Sequence, residues 1–163
     1  MAETIELSAR DKAGRYAELL PQLEALVAGE QDLIANLANL TAGLKQGIAA
    51  ASWVGFYHLR RGELVLGPFQ GKVACVRIAL GRGVCGTAAA ESRTLIVPDV
   101  EQFPGHIACD ASSRSEIVVP VRDAEGNLVA VLDVDSTELG AFDETDAAAL
   151  ARVAALAGSL PGW

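Results

Sequence analysis

Three cysteines, Cys75, Cys85 and Cys109, and three acids, Glu116, Asp133 and Asp135, have the types and spacing that could support chemistry. Free cysteine usually behaves as a small buried hydrophobe, so each thiol has a packing reading beside its reactive one. Cys75 lies in the alternating run Val73-Ala74-Cys75-Val76-Arg77-Ile78 and by itself reads as the core residue of a strand. Cys85 follows Gly81-Arg82-Gly83 where a helix begins, and amides there can lower a thiol pKa, so its packed and reactive readings stand level. Cys109 comes after Gly105-His106-Ile107-Ala108 and before Asp110, in a loop expected to be exposed, and reads as reactive. A reactive thiol with a resolving partner is the simplest chemistry for such a set. His58 and His106 could in principle complete a zinc site, but no cysteine pair has the C-x2-4-C spacing of structural zinc, and no metal is expected.

The acids form a second constellation. Glu116 opens one strand, and Asp133 and Asp135 close its hairpin neighbour in Leu132-Asp133-Val134-Asp135-Ser136. Period-2 geometry puts Asp133 and Asp135 on one face, and antiparallel pairing brings Glu116 to the same end. Like charges gathered there are costly unless a cation or a shared proton relieves them, which suits an ammonium ligand or a protonated acid; the alternative is a set of solvated strand ends. Trp53 and Tyr57, four apart on a strand, share a face and read either as core packing or as a pocket wall.

These residues need elements to position them. Tyr16, Leu19, Leu20, Leu23, Leu26 and Val27 fall at helical spacing up to a stop at Gly29, and a second helix from near Gln31 aligns Leu33, Leu37, Leu40, Leu44 and Ile48. The run from Trp53 to Leu59, the turn Arg61-Gly62-Glu63 and the return Glu63 to Leu66 make a β-hairpin. A strand from Ala74 to Ala79, a short helix from Val84 to Ser92 and a brief strand Leu95-Ile96-Val97 follow. The stretch from Asp99 to Ser115 reads as a long functional loop. Strands Glu116 to Val121 and Leu128 to Val134 are joined by Asp123-Ala124-Glu125-Gly126-Asn127, and Asp143 caps a closing helix. The class is α+β, with helices bracketing an antiparallel sheet in a single domain over residues 16–158, an extension over 1–15 and a tail over 159–163.

Composition bounds the function. A chain of 163 residues, about half of them apolar, can bury one sizeable core. Its formal net charge of -8, with no basic run longer than Arg60-Arg61, argues against nucleic acid or an anionic membrane as partner and suits a small cationic group. The acidic N-terminus lacks the pattern of a secretory signal, no segment approaches a membrane span, and three cysteines make no secreted disulfide framework, so a cytoplasmic protein is expected.

The segments Trp53-Val54-Gly55-Phe56-Tyr57, Leu66-Gly67-Pro68-Phe69-Gln70-Gly71, Gly83-Val84-Cys85-Gly86, Val97-Pro98-Asp99-Val100, Phe103 to Asp110, Ser115 to Pro120 and Leu132 to Ser136, in this order, closely resemble the free methionine-R-sulfoxide reductase family. The resemblance runs from about Tyr16 to Gly158 and includes all three cysteine positions. It implies a GAF-type fold, a six-stranded antiparallel sheet flanked by helices, and a homodimer packed through the two leading helices. It also implies that Cys109 attacks the sulfoxide sulfur of free methionine-R-sulfoxide and becomes a sulfenic acid. A disulfide with Cys75 or Cys85 then forms, with Cys75 favoured, and thioredoxin reduces it. No cofactor is implied.

In that frame Glu116 or Asp135 protonates the departing oxygen, while Asp133 and the remaining carboxylates hold the substrate ammonium. Trp53 meets the S-methyl group, Tyr57 lines the pocket, and amides of Ile107, Ala108 and Cys109 receive the substrate carboxylate. The rival reading is a GAF sensor module, for which the chain offers no output segment after its last helix at Pro161-Gly162-Trp163. A peroxide-sensing thiol protein is a third, one that would not distinguish sulfoxide epimers.

Overall fold

The computed structural model describes residues 4–107 and 109–163. Helices α1 (Lys12–Val27) and α2 (Leu33–Gly47) precede strands β1 (Trp53–Arg60), β2 (Glu63–Gln70) and β3 (Arg77–Ala79). Helix α3 (Gly83–Glu91), β4 (Leu95–Val97), a single 3-10 turn at Val100–Gln102, β5 (Ser115–Arg122), β6 (Leu128–Ser136) and α4 (Glu144–Gly158) complete the chain. The six strands form one antiparallel sheet in the order β3-β2-β1-β6-β5-β4.

Side chains alternate across the pleat, so each central strand serves two cores. Val54 and Phe56 of β1, Ile117, Val119 and Val121 of β5, and Leu132 and Val134 of β6 are buried with the apolar stripes of α1, α2 and α4. Tyr57, Val118 and Val131 face the other way, towards Val84, Cys85, Ala88 and Ala89 of α3. The first core holds the larger share of apolar burial, at about 1.5–3 kcal/mol per fully buried large side chain, and so carries most of the stability.

Local signals set the boundaries. Asp11 and Asp32 accept hydrogen bonds from Gly14 and Ala35 as N-caps of α1 and α2. Asp143, the expected cap of α4, forms a reciprocal capping box with Asp146. Asp146 also takes a hydrogen bond from Tyr16 Oη (2.7 Å) and an ion pair from Lys12 (2.5 Å), which ties α1 to α4. Ile5 and Leu7 pack against the first core ahead of α1, and Trp163 packs at a tilt against the His58 ring behind α4. No helix among the described residues is long and apolar enough to cross a membrane.

Two strand boundaries differ from expectation. β2 continues to Gln70 instead of stopping at Leu66, because a register shift between Gly55 and Tyr57 leaves Gly67 and Pro68 without direct partners, which lets a proline sit in the strand. β3 begins only at Arg77, so residues 71–76 form an irregular strap and Cys75 is not a buried strand residue: it is half-buried in that strap.

Candidate active site

The sheet's second face is apolar except at one end, where β5 and β6 carry acids in place of hydrophobes. Asp135 pairs with Glu116 on one side and Trp53 on the other, and Asp133 pairs with Val118 and Gly55. Trp53, Asp135 and Glu116 therefore form one rung across three strands, and Gly55, Asp133 and Val118 form the next. All three acids and both aromatics line one cavity beneath the N-terminus of α3.

Burial decides the charge state of this cluster. Removal from water, then the neighbouring charge of Asp135, pushes Glu116 up to about 8. Asp133 and Asp135 are raised well above the usual carboxylate range by burial first, then by Glu116 and Asp133 respectively. Asp133 Oδ1 has no hydrogen-bond partner among the described residues. Burial and mutual repulsion thus both favour the protonated forms of these acids over a set of ionised carboxylates.

Cys85, on the first turn of α3, lies 3.6 Å from Glu116 Oε1 and is only 4% exposed. The expectation that amides at a helix start would lower its pKa is reversed: burial, followed by Asp133 and Glu116, raises it well above the ordinary thiol value. Cys85, Glu116 and Asp133 bring one donor atom each within 4.8 Å of one another.

Two segments cross the mouth of the cavity. The strap 71–76 is anchored from below by hydrogen bonds donated by Trp53 Nε1 to the Lys72 carbonyl and by Tyr57 Oη to the Cys75 carbonyl, both 3.0 Å. The loop after the 3-10 turn packs Ile107 onto Gly83, and Asp110, held below the usual carboxylate range by hydrogen bonds from Ser112, sits 3.6 Å from Lys72. A disulfide between Cys75 and Cys109, with Cα atoms 5.4 Å apart, joins strap to loop. Cys109 is half-buried in this state, less open than a loop position suggested. Cys85 is left as a free, buried thiol.

Trp53 stacks between Tyr57 (6.0 Å) and Phe69 (5.3 Å), forming the aromatic wall. Every candidate residue from the sequence within the described part lies around this cavity or its disulfide; Ala108 falls outside the described residues. Sequence reasoning missed Arg82 and His106, which also line the cavity, and Lys72, which braces its mouth. Arg82, between Gly81 and Gly83, was open to detection as a cation beside a proposed amino-acid carboxylate; Lys72 carried no signal.

The GAF domain family model matches residues 28–160. The chain is 55% identical to "GAF domain-containing protein A" of Dictyostelium discoideum over 154 residues, covering 94% of this chain and 96% of that one. It is 48% identical to the free methionine-R-sulfoxide reductase of Escherichia coli over 145 residues, covering 89% and 87%. The X-ray structure of free methionine-R-sulfoxide reductase from Neisseria meningitidis in complex with its substrate superposes with a TM-score of 0.91 at 51% identity, covering 95% and 93%. The matched range, these identities and the shared fold show that the chain belongs to the GAF domain family and, within it, to the free methionine-R-sulfoxide reductases.

Proposed function

We propose that this protein reduces free methionine-R-sulfoxide to methionine by cysteine chemistry. One observation carries the reading: the Cys75–Cys109 disulfide closes the mouth of a pocket lined by three buried acids, all shifted towards the protonated form, and an aromatic wall. In the reduced protein the Cys109 thiolate attacks the sulfoxide sulfur while Glu116 or Asp135 protonates its oxygen. The substrate's S–O bond breaks as the oxygen, carrying that proton, passes to Cys109 Sγ; methionine departs, Cys109 is left as a sulfenic acid, and the Cys75 thiol displaces the oxygen as water to give the disulfide. A thioredoxin then returns both thiols, taking the disulfide itself.

Asp133 and its neighbours hold the substrate ammonium, the cation that their burial lacks. A peptide-bound methionine sulfoxide brings no such charge, which restricts the substrate to the free amino acid. Trp53 meets the S-methyl group beside Tyr57, and amides of Ile107, Ala108 and Cys109 take the carboxylate. A homodimer packed through α1 and α2 in the cytoplasm completes the reading, where thioredoxin keeps thiols reduced. The role in the cell is repair of oxidised methionine under oxidative stress.

The deciding experiment follows methionine formation from each epimer of free methionine sulfoxide with dithiothreitol as reductant. Turnover of the R epimer alone, lost in Cys109→Ser, is the expected result. Failure of both epimers with folded, reduced protein would remove the reductase reading in favour of a GAF ligand sensor.

A further inference from the structure

Among the described residues the exposed large hydrophobics are Ile34, Val73, Val76, Leu80 and Leu139. Two of them flank one cysteine of the disulfide along the strap: Val73, at the rim of the cavity, is 88% exposed and Val76 63% exposed, on either side of Cys75 in sequence. Their positions are fixed from below. The Val76 carbonyl accepts from Leu66 N at 2.9 Å, and the Cys75 carbonyl from Tyr57 Oη at 3.0 Å, so the strap is held by its backbone while its valines stay in water. Apolar side chains left in solvent gain nothing from packing, and around a reactive bond they mark a contact face.

We propose that Val73 and Val76 form the docking face for a dithiol protein reductant, whose thiolate attacks Sγ of Cys75. The proposal rests on the reductase reading for its purpose, though not for its test. The disulfide commits the occupant to a thiol-bearing partner, and the valines commit it to a protein, because a small thiol has no apolar surface to match them. Charge adds to this: Lys72 is paired with Asp110 and Arg77 with Glu63, so the two cations that flank the strap in sequence are each offset by an acid.

Topology selects the sulfur. Cys109 lines the cavity, as do Val73 and Ala74 of the strap, whereas Cys75 is not among the lining residues. Attack at Cys75 forms a mixed disulfide there and expels Cys109 as the thiolate, which restores the nucleophile in place. The partner's second thiolate then attacks its own sulfur in that mixed disulfide, releases Cys75 as a thiolate and leaves the partner oxidised by two electrons.

The test reads disulfide opening directly, by thiol appearance in the oxidised protein, and needs no sulfoxide. With a bacterial thioredoxin as reductant, Val76→Asp should slow opening about tenfold or more at subsaturating thioredoxin, while opening by dithiothreitol stays within about twofold of the parent. Thioredoxin whose second active-site cysteine is replaced by serine should be trapped on Cys75 in peptide maps. An adduct on Cys109, or equal rates with thioredoxin for Val76→Asp and the parent, would overturn the proposal. So would slowing with both reductants together with a loss of oligomeric mass, which would make a second copy of this chain the occupant. Normal opening by thioredoxin in a protein that turns over neither epimer would leave the docking face standing and remove the reductase reading.

Discussion

Glu116 shows how one residue's surroundings become a measurable rate. Burial and the charge of Asp135 raise it to about 8, so the free protein at pH 7 holds the proton that a departing sulfoxide oxygen requires. We expect kcat/KM, which reports the free enzyme, to fall as pH rises through about 8 and the acid is lost. Glu116→Gln should lower kcat by roughly 10²–10⁴-fold, the range for loss of a general acid, and its residual rate should lose that alkaline limb. A profile flat from pH 6.5 to 9.5 would remove Glu116 as the proton donor. The convergence of the three acids was legible because strand periodicity and one hairpin suffice to place them. The protonation of Cys85 was not, since it depends on Asp133 and Glu116 from two other elements and on complete burial.

Strand β1 positions the aromatic wall by what it omits. The Trp53 indole lies flat over Gly55, and a Cβ there would overlap the ring and come within 2.6 Å of Phe69 Cβ. Gly55→Ala should push the indole off the strand and break its hydrogen bond to the Lys72 carbonyl, loosening the strap that carries Cys75. The expected result is a KM for free methionine sulfoxide raised about tenfold, with a cooperative thermal transition retained and Trp53 fluorescence shifted; an unchanged KM would show that the indole does not meet the substrate. The same elements show what a sequence reveals about a fold. Helices α1, α2 and α4 and strands β1, β5 and β6 announce themselves through apolar stripes, alternation and the Asp143 cap, because their residues answer to a core they can express locally. The strap did not. Val73 to Ile78 alternates like a strand, yet only Arg77–Ala79 pairs in register with β2, and the rest is held by one hydrogen bond from Leu66 and by Trp53 and Tyr57 from another strand. The extension of β2 past Leu66 was hidden in the opposite sense, since Gly67 and Pro68 sit at an irregularity invisible without the pairing partner.

At the scale of the whole molecule, the acids that equip the pocket work against the fold. Each is neutral in the folded state at pH values where the unfolded chain would ionise it, so the native protein binds more protons than the unfolded one. The sign follows. For Glu116 the stabilisation is complete below the ordinary value of 4.5 and is lost progressively as pH rises through about 8, with Asp133 and Asp135 adding in the same direction. The net charge of -8 deepens the decline through self-repulsion. Glu116→Gln keeps the shape and removes one titration. Its urea midpoint, measured on the oxidised protein, should stay close to the parent's at pH 5 and exceed it at pH 9, although the variant is catalytically impaired. Parallel curves for the two proteins would mean that Glu116 is ionised in the folded state, and the acid role would fall with it. A higher midpoint at pH 9 would instead show stability given up for a proton held where the substrate's oxygen must leave, a trade expected at functional sites and absent from the α-helical side of the sheet.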